Sequence, residues 1–234
     1  MDRQETGVTA KRGRPRQAAG ESENTGERVR RAALELFARQ GFHGTGIRDI
    51  AEAAGLKTAT LYHYMGNKDD LLVEIMVGAI SPLNAAAARV LADQDDPAAQ
   101  LAQIVEQHVW SHARDRLQTL VSDTEVRALT GKARTEVLAL RDAYEGAWRQ
   151  AVENGVGQGL FETGAPALTA RALLQMATGV SHWFSPRGPL KLEALCAEYA
   201  DWSLGMVRAA REGRPIRRAD LALPRPDHYL SAAG

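Results

Sequence analysis

Two histidines and a serine stand close together at His108, Ser111 and His112. His108 and His112 are four residues apart, the spacing at which two imidazoles on one helix face can hold a metal ion. No third ligand lies near them in the sequence. No Gly-x-Ser-x-Gly segment or spaced acid completes a nucleophilic set around Ser111. The lone cysteine, Cys196, excludes an internal disulfide framework and any Cys-x-x-Cys metal or redox site. No catalytic residue, metal site or cofactor is therefore expected. A second group of residues offers a different chemistry. Arg48, Lys57, Thr58, Thr60, Tyr62, His63, Tyr64 and Lys68 gather hydrogen-bond donors and positive charge into one short stretch. Arg12 and Arg14 sit in Lys11-Arg12-Gly13-Arg14-Pro15-Arg16, four positive charges in six residues with no negative one. Such groups recognise phosphates and base edges.

The elements that must position these residues read as helices. Val29, Ala32, Ala33, Leu36 and Phe37 recur with one-face helical spacing, and Gly41 supplies a stop. Short helices are expected from about Ile47 to Ala54, closed by Gly55, and from about Thr58 to Tyr64. A longer one starts near Lys68, with Leu71, Leu72, Ile75 and Met76 on one face. Further stripes are Leu101, Ile104, Val105, His108, Val109 and His112; Val137, Leu140, Tyr144, Trp148 and Ala151; Leu173, Met176, Val180 and Trp183; and Leu192, Leu195, Cys196, Tyr199, Trp202 and Met206. Strand-like alternation is absent, so the fold class is all-α.

The organisation follows. Residues 1–25 read as a disordered basic arm, 26–80 as a first helical domain with two short helices at about 46–65, 81–212 as a second helical domain, and 213–234 as an irregular tail. The chain is 44% hydrophobic and 25% charged, with 29 basic and 29 acidic residues, so any attraction to nucleic acid has to be local. No apolar run approaches the roughly 20 residues that cross a bilayer. The first residues have no apolar stretch of a secretory signal. A cytoplasmic protein with no membrane partner is expected.

The stretch from Gly46 to Tyr64 has the helix-turn-helix pattern, two short helices around a glycine turn with the second helix laid in the DNA major groove. Gly55 suits the positive φ of the turn. Leu56 and Leu61 pin the helices together. The segment FARQGFHGTGIRDIAEAAGLKTATLYHYMGNKDDLL resembles the DNA-binding domain of the TetR/AcrR family of transcriptional regulators. The resemblance implies a three-helix reading unit, a helical effector-binding and dimerisation domain, and repression relieved by a small molecule. It assigns Thr58, Thr60 and His63 to bases or backbone, and Tyr62, Tyr64 and Lys68 to phosphates or to locking the reading head. Arg48 suits a guanine edge. Gly46 stands where the family has a capping Ser or Thr, so Thr45 is expected to cap instead. Lys57 replaces a common Ser and Met65 a common Phe. Arg12-Gly13-Arg14-Pro15 resembles the core of an AT-hook, whose arginines enter narrow minor grooves.

In the second domain, His108, His112, Tyr144 and Trp148 are expected to line an apolar effector pocket, because unpartnered imidazoles in a core would need a ligand to satisfy them. Trp183-Phe184-Ser185-Pro186-Arg187-Gly188 resembles a helix junction in family members that respond to acyl thioesters or other lipid-derived molecules. The stripes within 173–184 and 192–206 are expected to form the homodimer surface. The expected function is a homodimeric repressor that leaves its operator on binding an amphipathic effector of acyl thioester, lipid-derived or aromatic acid type. The alternative is a ligand-independent DNA-binding or architectural protein.

Overall fold

The computed structural model describes residues 19–231, and among them the chain is helical throughout apart from one small hairpin. The reading head comprises α1 (Ala19–Gln40), α2 (Ile47–Ala53) and α3 (Thr58–Leu61). Helix α1 begins inside the segment expected to be an irregular arm. Arg12 and Arg14 lie outside the described residues. At the end of α1, Gly41 takes φ +76°, and Gly55 takes +66° between α2 and α3. Both are left-handed conformations that only glycine adopts without strain. Thr45 does not cap α2. Its hydroxyl donates back to the Gly41 carbonyl at 2.8 Å, and the Asp49 carboxylate accepts from the Gly46 N–H at 2.8 Å in its place.

Helix α4 (Lys68–Asp93) opens on a reciprocal cap. The Asn67 side chain accepts from the Asp70 N–H at 2.8 Å, and Asp70 accepts from the Asn67 N–H at 3.2 Å. This helix belongs to both halves of the molecule. Leu71, Leu72, Ile75 and Met76 complete the core of the head, and Leu83, Ala86, Ala87 and Val90 enter the core of the second domain. The expected boundary near residue 80 therefore falls inside one continuous helix. Serving two cores also makes α4 apolar on more than one face. A window of it reaches mean hydropathy 1.7, long and apolar enough by composition to span a bilayer, contrary to the sequence expectation.

The second domain is built from α5 (Pro97–Arg114), α6 (Arg116–Thr124) with the 3-10 turn Glu125–Ala128, α7 (Gly131–Gly157), α8 (Pro166–Thr178), the short α9 (Val180–Trp183) and α10 (Leu192–Met206). Asp96 and Pro97 start α5 as side-chain cap and first-turn proline. Helix α5 is central: from Pro97 to Ala113 every residue except Ser111 is buried, including Gln100, Gln103, Glu106 and Gln107. The segment beyond Met206 covers its polar side. A hairpin (β1 Ala210–Arg211, β2 Arg214–Pro215), the 3-10 turn Arg218–Asp220 and α11 (His228–Ser231) carry Ile216, Leu221 and Tyr229 into the core. Arg218 clasps buried Glu106 with bonds of 2.6 and 3.2 Å. The expected irregular tail is instead a docked strap.

Candidate functional site

The recognition helix α3 is fixed from below. Leu61 and Met65 are buried in the head core, the Leu56 N–H closes on the Ala51 carbonyl at 2.8 Å, and Tyr64 packs on the same core. What remains outside is Arg48, Lys57, Ala59, Tyr62 and His63, with Tyr62 53% exposed. Among the described residues, the side chains of Arg48, Lys57, Tyr62 and His63 make no hydrogen bond or ion pair, so their donors stay available. Thr58 and Thr60 are half-buried at the flanks. Ala59 carries no polar group and was passed over in the sequence. Its methyl stands outward, the kind of group that contacts a thymine methyl.

Of the two roles expected of Lys68, its contacts fit locking the head. Its ammonium donates to the Phe42 carbonyl at 2.8 Å and the Thr45 carbonyl at 2.9 Å, and it lies 4.1 Å from the centre of the Phe42 ring. It braces the loop before α2 rather than standing free for a phosphate. The same loop is held from the second domain. The Phe42 N–H donates to Glu125 Oε2 at 3.1 Å, so the N–H and the carbonyl of Phe42 are both tied down. Nothing in the sequence marked Glu125, which lies 83 positions away.

Helices α4 to α8 enclose a cavity of about 180 Å³. Ala79, Ile80 and Leu83 line it from α4, His108 and His112 from α5, Thr119, Ser122 and Asp123 from α6. Leu138, Arg141, Asp142, Tyr144 and Glu145 line it from α7, and Leu174, Gln175 and Thr178 from α8. Exposed Asp142 and Gln175 place its mouth between α7 and α8. The two imidazoles stack with centroids 3.7 Å apart. Tyr144 meets His108 face on, and Trp148 meets it edge on at 5.4 Å.

Three of the four expected pocket residues thus line the cavity. Trp148 is the exception: it is fully buried behind His108 and does not reach the wall. The expected reason for the histidines also needs correction. His108 is satisfied internally, with Nδ1 3.1 Å from the Tyr144 hydroxyl and Nε2 3.2 Å from Thr178 Oγ1. His112 Nδ1 lies 3.0 Å from the His108 carbonyl.

Burial holds the His108 imidazole well below its ordinary range, and neighbouring His112 adds to the effect. Burial also brings His112 down to about 4, opposed by its bond to the His108 carbonyl and aided by Arg141. Asp123 is pushed up to about 6 by burial, against the pull of Arg141 3.6 Å away. At neutral pH both imidazoles are uncharged and Asp123 is ionised. The 3.9 Å approach of His112 Nε2 to Asp123 Oδ2 is therefore not an ion pair under those conditions. Asp123 and Arg141 carried no sequence signal, since they come from different helices and meet only in the folded chain. Among the described residues no group of three His, Cys, Asp or Glu side chains is placed to hold a metal ion.

Along α8–α10, Trp183 and Trp202 are 53% and 51% exposed, and Leu168 on α8 and Met206 on α10 are exposed as well. Tyr199, buried beneath this surface, packs with its ring centre 4.8 Å from that of Trp202. The inward members of the same stripes, Leu173, Ala177, Val180, Leu195 and Cys196, belong to the subunit's own core.

Residues 29–75 match bacterial regulatory proteins of the tetR family, and residues 94–207 match the tetracyclin repressor-like C-terminal domain. The HTH-type transcriptional repressor KstR2 of Rhodococcus jostii (strain RHA1) is 27% identical over 169 residues, 71% of this chain and 83% of that protein. The crystal structure of the TetR family regulator PfmR from Thermus thermophilus is 31% identical, with TM-score 0.69 over 79% of this chain and 100% of that one. That of AibR, in complex with isovaleryl coenzyme A and operator DNA, is 26% identical, with TM-score 0.67 over 78% and 97%. With a helix-turn-helix head, a second helical domain that encloses a cavity, and both halves matched, this chain belongs to the TetR family of ligand-responsive, DNA-binding transcriptional regulators.

Proposed function

We propose that the protein is a homodimeric cytoplasmic repressor released from its operator by a small amphipathic effector, and that it acts by binding rather than by catalysis. Arg48, Lys57, Tyr62 and His63 are the outward donors that read or grip DNA, with Thr58 and Thr60 at the flanks. Arg12 and Arg14 follow the neighbouring minor groove. The exposed Trp183, Trp202, Leu168 and Met206 surface pairs with its own copy, an isologous contact that sets two heads about one DNA turn, roughly 34 Å, apart.

The observation that carries the effector reading is the cavity itself. It lies between α4, which is half head and half second domain, and α6, whose end holds the Phe42 loop through Glu125. An occupant that shifts either wall changes the setting of the head. At about 180 Å³ the cavity is smaller than the roughly 300–1,000 Å³ of drug-sized sites, which favours a short apolar body inside and a bulkier head at the mouth. A short acyl thioester fits that description, and the isovaleryl coenzyme A complex of AibR supports the class.

The test is selection of genomic fragments that bind the purified protein, followed by release with a panel of short acyl coenzyme A thioesters. His108→Ala should bind the selected fragment as the wild type does and resist release. Absence of any specifically bound fragment would sink the repressor reading. Release of wild type and His108→Ala at the same concentration would move the effector elsewhere.

A further inference from the structure

One wall of the cavity carries polar atoms that no protein group partners. His112 is a buried side chain whose Nδ1 lies against the His108 carbonyl, and a carbonyl can only accept. The proton of this neutral imidazole is therefore on Nδ1, and Nε2 presents a bare lone pair. Nε2 makes no hydrogen bond. It faces Asp123 Oδ2 at 3.9 Å, a second acceptor, buried and without a hydrogen-bond partner. The adjacent Ser122 hydroxyl on the same wall is also buried and unpartnered. Two acceptors that face each other at this distance repel, and the gap is too long for a shared proton.

A single donor atom seated beside them can reach both. We infer that His112 Nε2 and Asp123 Oδ2 form a subsite for a hydrogen-bond donor, so the effector carries a hydroxyl or amide N–H on its short apolar body. The inference rests on the cavity's being the effector site. It sharpens that reading by excluding a carboxylate head at this wall. An anion here would face ionised Asp123, with Asp142 and Glu145 also on the lining, and Arg141 is the single cationic side chain among the lining residues. The expected aromatic acid class is disfavoured for this reason. An acyl thioester stays compatible where its chain or its carrier arm bears a hydroxyl or an amide N–H.

The experiment compares four probes of nearly equal apolar size: pentanamide, pentan-1-ol, methyl butanoate and pentanoate. Their binding to the full-length protein is read by nitrogen-15 shifts of the histidine side chains and by titration. Pentanamide and pentan-1-ol should bind about tenfold or more tightly than methyl butanoate, the ratio expected for one hydrogen bond to a charged or buried acceptor. Pentanoate should bind most weakly. Both donors should move the His112 Nε2 resonance. Asp123→Asn, which replaces the charged acceptor with a neutral amide, should lower pentanamide affinity towards that of the ester. If Asp123→Asn does not fold, the Nε2 shift in the wild type decides alone. Equal affinity for amide and ester, or an unmoved Nε2 resonance on amide binding, overturns the donor subsite. Failure of all four probes to bind overturns the cavity reading as well, and so is distinguishable from failure of the subsite alone.

Discussion

Replacing Lys68 with methionine separates two roles that a lysine at the start of α4 can have. In the structure its ammonium bonds the Phe42 and Thr45 carbonyls at 2.8 and 2.9 Å and sits 4.1 Å from the Phe42 ring centre. Methionine keeps most of the aliphatic stem and removes the charge. Each charge-assisted bond contributes at least about 1.5 kcal/mol, taken at the low end because the side chain is half-exposed. The ring contact adds about 0.5 kcal/mol. Lys68→Met should therefore cost about 3.5 kcal/mol of stability, concentrated in the head. Amide exchange over residues 41–46 should accelerate relative to the second domain. Operator affinity should fall because the head is less often in its binding conformation, while every DNA phosphate keeps its partner. The slope of log affinity against log salt should then stay as in the wild type. A lysine that neutralised a phosphate would flatten that slope by about 0.9 per half-site. Anisotropy titrations over a range of salt concentrations give the slope, and urea unfolding gives the stability. An undiminished stability together with a flattened slope would refute the brace and return Lys68 to the DNA backbone.

Removing the partner of buried Glu106 with Arg218→Met should cost about 3–5 kcal/mol in denaturant unfolding, and adding Glu106→Gln should restore most of it. Glu125→Ala should free the Phe42 N–H to exchange and weaken the coupling between effector and operator while leaving effector affinity unchanged; Glu125→Gln, which still accepts, should behave as wild type. Trp202→Glu should leave the subunit folded but monomeric in sedimentation, with operator binding abolished; a stable dimer would place the interface elsewhere. Stability should fall as pH drops from about 6.5 towards about 4, because unfolded His108 and His112 take up protons that the folded state refuses. Asp123, raised from 3.8 to about 6, acts in the opposite sense across that range, since the folded state takes its proton first. Asp123→Asn should thus steepen the acid loss of melting temperature, and a flatter profile would contradict the assignment.

The sequence by itself determined whatever depends on neighbours a few residues apart. Helical periodicity marked α1, α4 and the later stripes. Gly41 and Gly55 marked turns that need positive φ, and the spaced residues from Gly46 to Tyr64 marked the reading head. These signals are local, because backbone conformation and one-face burial repeat every three or four residues. The meeting of His108 and His112 was legible for the same reason, whereas the stripe of α7 pointed equally to Tyr144, which lines the cavity, and to Trp148, which does not.

The tertiary structure decided the contacts between distant elements. Helix α5 reads as amphipathic, yet Gln103, Glu106 and Gln107 are buried because residues beyond Met206 fold back over them and Arg218 supplies the matching charge. Lys68 reads as a free cation until the chain turns at Gly41 and presents two carbonyls to it. The expected cap by Thr45 failed because Gly46 occupies the N-cap position and the Thr45 side chain is turned back, its hydroxyl donating to the Gly41 carbonyl. Stripes that mark a face as apolar do not say which partner it meets: Leu173 and Leu195 turn into the subunit, whereas Trp183 and Trp202 turn out. The acceptor pair of His112 and Asp123 exists only where α5 and α6 cross. Side-chain pairing across helices depends on packing angles and on which carbonyl lies within 3 Å, and neither is written in the spacing of residues along one helix.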